Sequence, residues 1–170
     1  ISNISKIQTN FTKKQQARDQ VNQKFQEKEA ELNSTPHATQ DEKQDALTRL
    51  TQAKETALND INQAQTNQNV DTALTSGIQN IQNTQVNVRK KQEAKTTIND
   101  IVQQHKQSIQ NNDDATTEEK EVANNLVNAS QQNVISKIDN ATTNNQIDGI
   151  VSDGRQSINA ITPEDRKSVV

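Results

Sequence analysis

Catalysis and metal binding draw on imidazoles, thiols, paired carboxylates and glycine-rich turns, and this 170-residue chain holds few of them. It has two His and three Gly, and it has no Cys, Met, Trp or Tyr. His37 falls in a polar turn and His105 on a helical stretch. Neither has a second His, Cys or carboxylate at metal-ligand spacing, so both read as solvated or semi-buried side chains. His105 occupies the place of Lys28 in an internal repeat, which suits a boundary position where only a polar tip must reach water.

The acids Asp113, Asp114, Glu118 and Glu119 could be imagined around calcium, but the glycine turn and alternating oxygen ligands of a calcium loop are missing. Negative charge at the positive end of a helix accounts for them. Gly77 and Gly154 interrupt an apolar stripe, where glycine costs about 1 kcal/mol relative to alanine. Close approach of a neighbouring helix is the expected reason, with a kink as the rival. Asn10-x-Thr12, Asn33-x-Thr35, Asn128-x-Ser130 and Asn140-x-Thr142 match glycosylation acceptors, a pattern that so many Asn, Ser and Thr generate by chance. No Ser/His/Asp set, phosphate-binding glycine loop or tuned carboxylate pair is recognisable. The chain therefore reads as non-enzymatic, with no catalytic, cofactor-binding or metal-binding residue and no cofactor.

The composition narrows the partners. Nineteen basic residues face 22 acidic ones for a net charge of −3, too small and too mixed for a phosphate-binding surface. Two Phe give base stacking no platform, so nucleic acid is not expected. No apolar run approaches the ~20 residues that span a bilayer, so no membrane insertion is expected of this segment. The opening residues lack the basic and apolar regions of a signal peptide, and the chain reads as a fragment of something longer. Asn and Gln make up 46 residues and Leu, Ile, Val and Phe only 34, on the border of disorder. Few Pro and Gly, little net charge and a regular apolar spacing argue for order.

The elements that carry these residues come in two copies. Aligning 1–93 with 78–170 without a gap gives 26 identities, an offset of 77. Lys13-Lys14-Gln15 returns as Lys90-Lys91-Gln92, Ala38-Thr39 as Ala115-Thr116, Thr66-Asn67 as Thr143-Asn144 and Gly77 as Gly154. The alignment divides the chain into 1–7, the tail of a preceding repeat; copies at 8–84 and 85–161; and 162–170, the start of a following repeat.

Apolar residues recur at helical spacing in each copy. In the second, Ala94, Ile98, Ile101, Val102 and Ile109 form one stripe; Val122, Ala123, Leu126, Val127, Val134, Ile138 and Ala141 the next; and Ile147, Ile150, Val151, Gly154, Ile158 and Ile161 a third. The first copy repeats this, and Phe11 and Phe25 both lie at core-stripe spacing. Thr39-x-x-Glu42 and Thr116-x-x-Glu119 fit capping boxes, and Thr162-Pro163-Glu164-Asp165 reads as a helix start. The junction Gln85-Val86-Asn87-Val88 lacks such punctuation, so one copy's last helix could continue into the next copy's first. The fold class is all-α: tandem three-helix bundles with helices of roughly 28, 27 and 17 residues, stacked end to end as an elongated rod of roughly 80–100 Å. Bundles this thin leave no expected room for a reaction pocket.

Ala94-Lys95-x-x-Ile98, Asp114-Ala115-Thr116-x-Glu118-Glu119-Lys120, Ala141-Thr142-Thr143 and Gly154-x-x-x-Ile158-x-x-Ile161 carry a family resemblance. The chain resembles the helical "domain of unknown function" repeat of giant staphylococcal and other Gram-positive cell-wall surface proteins, which include extracellular matrix-binding protein homologues and biofilm-associated proteins. His37 and Gln40 stand where the second copy has Asp114 and Thr117. The resemblance implies a secreted helical array at the bacterial cell surface, in proteins of cell adhesion and biofilm, and no catalytic residue. The role it implies is a spacer or stalk that projects an adhesive region from the cell wall. The alternatives are weak multivalent binding of a host matrix protein such as fibronectin, or self-association between cells. Within the chain, the partners would be neighbouring repeats.

Overall fold

The computed structural model describes residues 2–164. Among the described residues there are six helices and no strand: α1 (Ser2–Asn33), α2 (Gln40–Gln63), α3 (Asn67–Gln82), α4 (Lys90–Gln110), α5 (Thr117–Asn140) and α6 (Asn144–Asn159). They divide into two units, one holding 1–36 and 41–87, the other 37–40 and 88–170.

The first unit closes around Ala17, Val21 and Leu32 from α1, Ala46, Leu50, Ala57 and Ile61 from α2, and Val70 and Ile81 from α3. These are the helical-period positions, and removing each large side chain from water is worth about 1.5–3 kcal/mol. Lys13, in α1, reaches Asp71 near the start of α3, and Lys14 reaches the Asn62 carbonyl at the end of α2. α1 and α3 therefore run in one direction and pack on each other, and α2 runs antiparallel to both.

The second unit repeats the core with Ala94, Ile98 and Ile109 from α4, Ala123, Val127 and Ile138 from α5, and Ile147 and Ile158 from α6. It also includes the turn ahead of α2, where His37 adopts a left-handed φ of 63°. There the buried Thr39 donates its hydroxyl to Asn144 Oδ1 at 2.7 Å, and the Gln40 N–H donates to the Thr142 carbonyl at 2.8 Å.

Capping chemistry sets the ends. Thr116 accepts from the Glu119 N–H while Glu119 accepts from the Thr116 N–H, the expected box at the start of α5. Thr66 and Thr143 start α3 and α6 by accepting from the N–H groups of Asn69 and Gln146, and Gln146 completes a second box. That second box was legible as Thr143-x-x-Gln146 but not anticipated.

Several expectations need correction. The helix does not continue through the junction: Thr84 to Arg89 is non-helical, so α4 has 21 residues rather than about 28. Thr84, Val86, Asn87 and Val88 are poor helix formers, and the segment has better partners elsewhere. Thr84 Oγ1 donates to the Asn80 carbonyl, Arg49 Nη2 donates to the Gln85 carbonyl at 2.9 Å, and Val86 packs on the core. Phe11 is no core residue, being 67% exposed. Val122 and Leu126 are exposed as well. α5 has apolar neighbours at 122–123 and 126–127, and the packing against α4 and α6 turns one of each pair inward and leaves the other in solvent. Ala123 and Val127 take the inward place. The helix start expected at 162–165 is non-helical through Glu164, and its remainder, like Arg166-Lys167, lies outside the described residues.

Candidate functional site

The sequence candidates do not converge. His37 is exposed in its turn. His105 is half-buried, and its Nε2 lies 2.5 Å from the Ile161 carbonyl oxygen. A carbonyl can only accept, so this nitrogen carries the proton. The polar tip at this position meets backbone rather than water. Its counterpart Lys28 is buried and pairs with Glu31 at 2.9 Å. Among Asp113, Asp114, Glu118 and Glu119, only Glu119 is buried, and it is committed to the cap. The Asp114 N–H bonds Asn112 Oδ1 in a local turn. Among the described residues no group of three or more His, Cys, Asp or Glu could hold a metal ion.

The two buried glycines mark helix crossings. A Cβ on Gly77 would lie 2.5 Å from Ala57 Cβ, and one on Gly154 would lie 3.0 Å from the Val134 methyls. Positions 57 and 134 are themselves 77 apart, so the same crossing recurs. Close approach of the neighbouring helix accounts for both.

The bundle is less closed than its thinness suggested. An open groove of about 490 Å³ lies between α5 and α6, bordered by Lys137, Asn140, Gln146, Gly149, Ile150 and Asp153. Gly149 has nothing within 4 Å of where a Cβ would sit, and the first copy has Thr72 in its place.

The most organised polar geometry was missed in the sequence, although its lysine pair was visible as a repeat. In the first unit Lys13 Nζ pairs with Asp71 at 2.9 Å, Lys14 Nζ donates to the Asn62 carbonyl at 2.9 Å, and Arg18 donates to Asn62 Oδ1 at 2.6 Å. In the second, Lys90 pairs with Asp148 at 2.5 Å, Lys91 donates to the Asp139 carbonyl at 2.7 Å, and Lys95 pairs with the Asp139 carboxylate. All three contacts recur at the offset of 77. The signal was available as Lys-Lys-x-x-x-Arg/Lys, but the acceptors lie 44 to 58 residues away and could not be read from spacing.

Near the starts of α2 and α5, at the other pole from this cluster, the surface is unlike in the two copies. Val122 and Leu126 replace Asp45 and Arg49, which pair with each other at 3.1 Å. Between them Asn124 buries its Oδ1 without a hydrogen-bond partner, where the first copy packs Leu47.

A family profile described as Domain of Unknown Function (DUF1542) matches residues 13–89 and again 90–166. The chain belongs to this family. Its relatives include the extracellular matrix-binding protein EbhA of Staphylococcus aureus strain Newman, 27% identical over 134 residues, which is 79% of this chain and 4% of that protein. EbhA of strain Mu3 matches at 27% over the same share of this chain and 2% of its own length. The extracellular matrix-binding protein ebh of strain NCTC 8325 matches likewise, over 1% of its length. The chain thus spans a few per cent or less of these relatives. No solved structure matches it. Among the described residues no helix is long and apolar enough to cross a membrane.

Proposed function

We propose that this chain is a non-catalytic segment of a bacterial surface adhesin, with repeats at 8–84 and 85–161 serving as a spacer that projects an adhesive region from the cell wall. The observation that carries this is the course of the chain within one unit. The first helix passes the end of α2 and the start of α3 at Lys13 and Lys14, and the chain leaves beyond the far end of α3. Each copy therefore advances the chain by about one helix length, roughly 25–30 Å at ~1.5 Å per residue. The exposed surface suits a spacer. Phe11 is its one strongly exposed aromatic, and the chain has none of the Trp and Tyr that binding hot spots favour.

A second reading has its own support: the relatives are named as extracellular matrix-binding proteins, and Val122 and Leu126 expose apolar surface. Under it, the repeats hold a matrix protein weakly and gain avidity by repetition. The test is to titrate the 170-residue chain, and tandem multiples of it, over immobilised fibronectin and other matrix proteins. The spacer reading expects no saturable binding. Binding that saturates, strengthens with copy number and disappears in a Val122→Asp, Leu126→Arg chain would establish the second reading in its place.

A further inference from the structure

We propose that the three cations at the head of each unit form a salt-sensitive clasp that bears load when the chain is pulled. The inference rests on the spacer reading and adds a mechanism to it.

The clasp joins all three helices at one pole. Lys14 and Lys91 place an ammonium on a carbonyl of the last turn of α2 and α5, which has no partner within its helix and sits at the negative end of the helix dipole. Lys13 and Lys90 tie the first helix of the unit to Asp71 and Asp148 on the third. Arg18 and Lys95, one turn further along, return to Asn62 and Asp139. Tension along the chain enters a unit through the first helix at this pole and leaves at the other. A pull on α4 drags Lys90, Lys91 and Lys95 away from α5 and α6 together, so the three bonds share the load instead of failing in turn. A single exposed ion pair holds little on its own. The clasp gains by closing three contacts across three helices within about one helical turn.

The copies differ in one respect that makes the proposal testable. The third contact runs from Arg18 to the neutral amide of Asn62 in the first unit, and from Lys95 to the carboxylate of Asp139 in the second. The second unit therefore carries two ion pairs at its clasp and the first carries one. Its resistance to pulling is the more sensitive to screening.

The experiment holds the 170-residue chain by its ends at constant force and times the two unfolding events. It is run at about 0.01 M and about 1 M salt, where the Debye length falls from roughly 30 to 3 Å. High salt should shorten both lifetimes, and one more than the other. Asn62→Asp should lengthen the first unit's lifetime at low salt by roughly two- to five-fold, as expected for one added surface pair, and make it as salt-sensitive as the second's. Asp139→Asn should do the reverse. Lys90→Asp should shorten the second unit's lifetime, and adding Asp148→Lys should restore it. Lys24→Gln is the control: it removes one positive charge, the size of the charge change in Asn62→Asp and Asp139→Asn, from a pair with Glu27 that lies within one helix, and should leave both lifetimes unchanged. Lifetimes indifferent to salt, an inert Asn62→Asp, or a control as damaging as Lys90→Asp would overturn the clasp. Those results would leave the spacer reading in place as long as two discrete unfolding events persist. Saturable matrix binding would remove the spacer reading without touching the clasp.

Discussion

At the scale of single residues, the glycines and one asparagine show how local fit outweighs intrinsic preference. Alanine is the better helix former by about 1 kcal/mol, so the sign of a Gly→Ala change depends on the space around it. Gly77→Ala would set a methyl 2.5 Å from Ala57 Cβ, which has no rotamer with which to yield. A net loss of about 1–2 kcal/mol is expected in chemical denaturation. Gly149→Ala meets open space and should stabilise by about 0.5–1 kcal/mol. Asn124→Leu removes a buried oxygen without a partner and restores the leucine that the first copy packs at position 47. It should stabilise the second unit by about 1–2 kcal/mol in the same assay. Gly77 and Gly154 stood out in the sequence because they broke an apolar stripe. Asn124 did not, since its cost depends on which way the side chain is turned, and spacing says nothing of that.

Among the elements, helices announced themselves through period and caps, whereas the connection between copies did not. Thr116 and Glu119 made the start of α5 readable because both halves of the box lie within four residues. The stretch from Thr84 to Arg89 carried no Pro or Gly, and its irregular course depends on partners remote in sequence. Arg49 lies 36 residues from the Gln85 carbonyl it holds. Replacing Val86 by Asp would take an apolar side chain off the core and set a charge beside it. A loss of about 1–3 kcal/mol is expected, with faster amide exchange along 84–89 if this segment is anchored as described. The polar clasp was hidden for the same reason, as its lysines were visible and its acceptors distant. Val122 and Leu126 were misassigned because two adjacent apolar residues satisfy a helical stripe equally well on paper, and only packing chooses between them.

For the molecule as a whole, repetition was the most legible feature, and two three-helix units follow from it directly. The composition looked close to disorder, and the structure reconciles this with a fold by spending most of the large aliphatic residues among those described on two narrow cores. The spacer reading makes a simple demand in solution. A compact chain of this length would have a gyration radius near 15 Å, and a chain serving as a spacer should exceed this clearly in small-angle scattering. A value near 15 Å would contradict it.

The unequal glycine crossings also bear on how a tandem array folds. Neighbouring copies alike enough to share a fold are prone to exchange equivalent helices. Here such an exchange is penalised in both directions. α3 seated against α5 would press Gly77 onto the bulkier Val134, at a crossing that allows almost no extra volume beside Ala57. α6 seated against α2 would leave Gly154 facing Ala57 across a gap that two valine methyls now fill. Each short helix is thereby matched in volume to the partner encoded beside it, which biases adjacent repeats against swapping segments as they emerge one after another during synthesis.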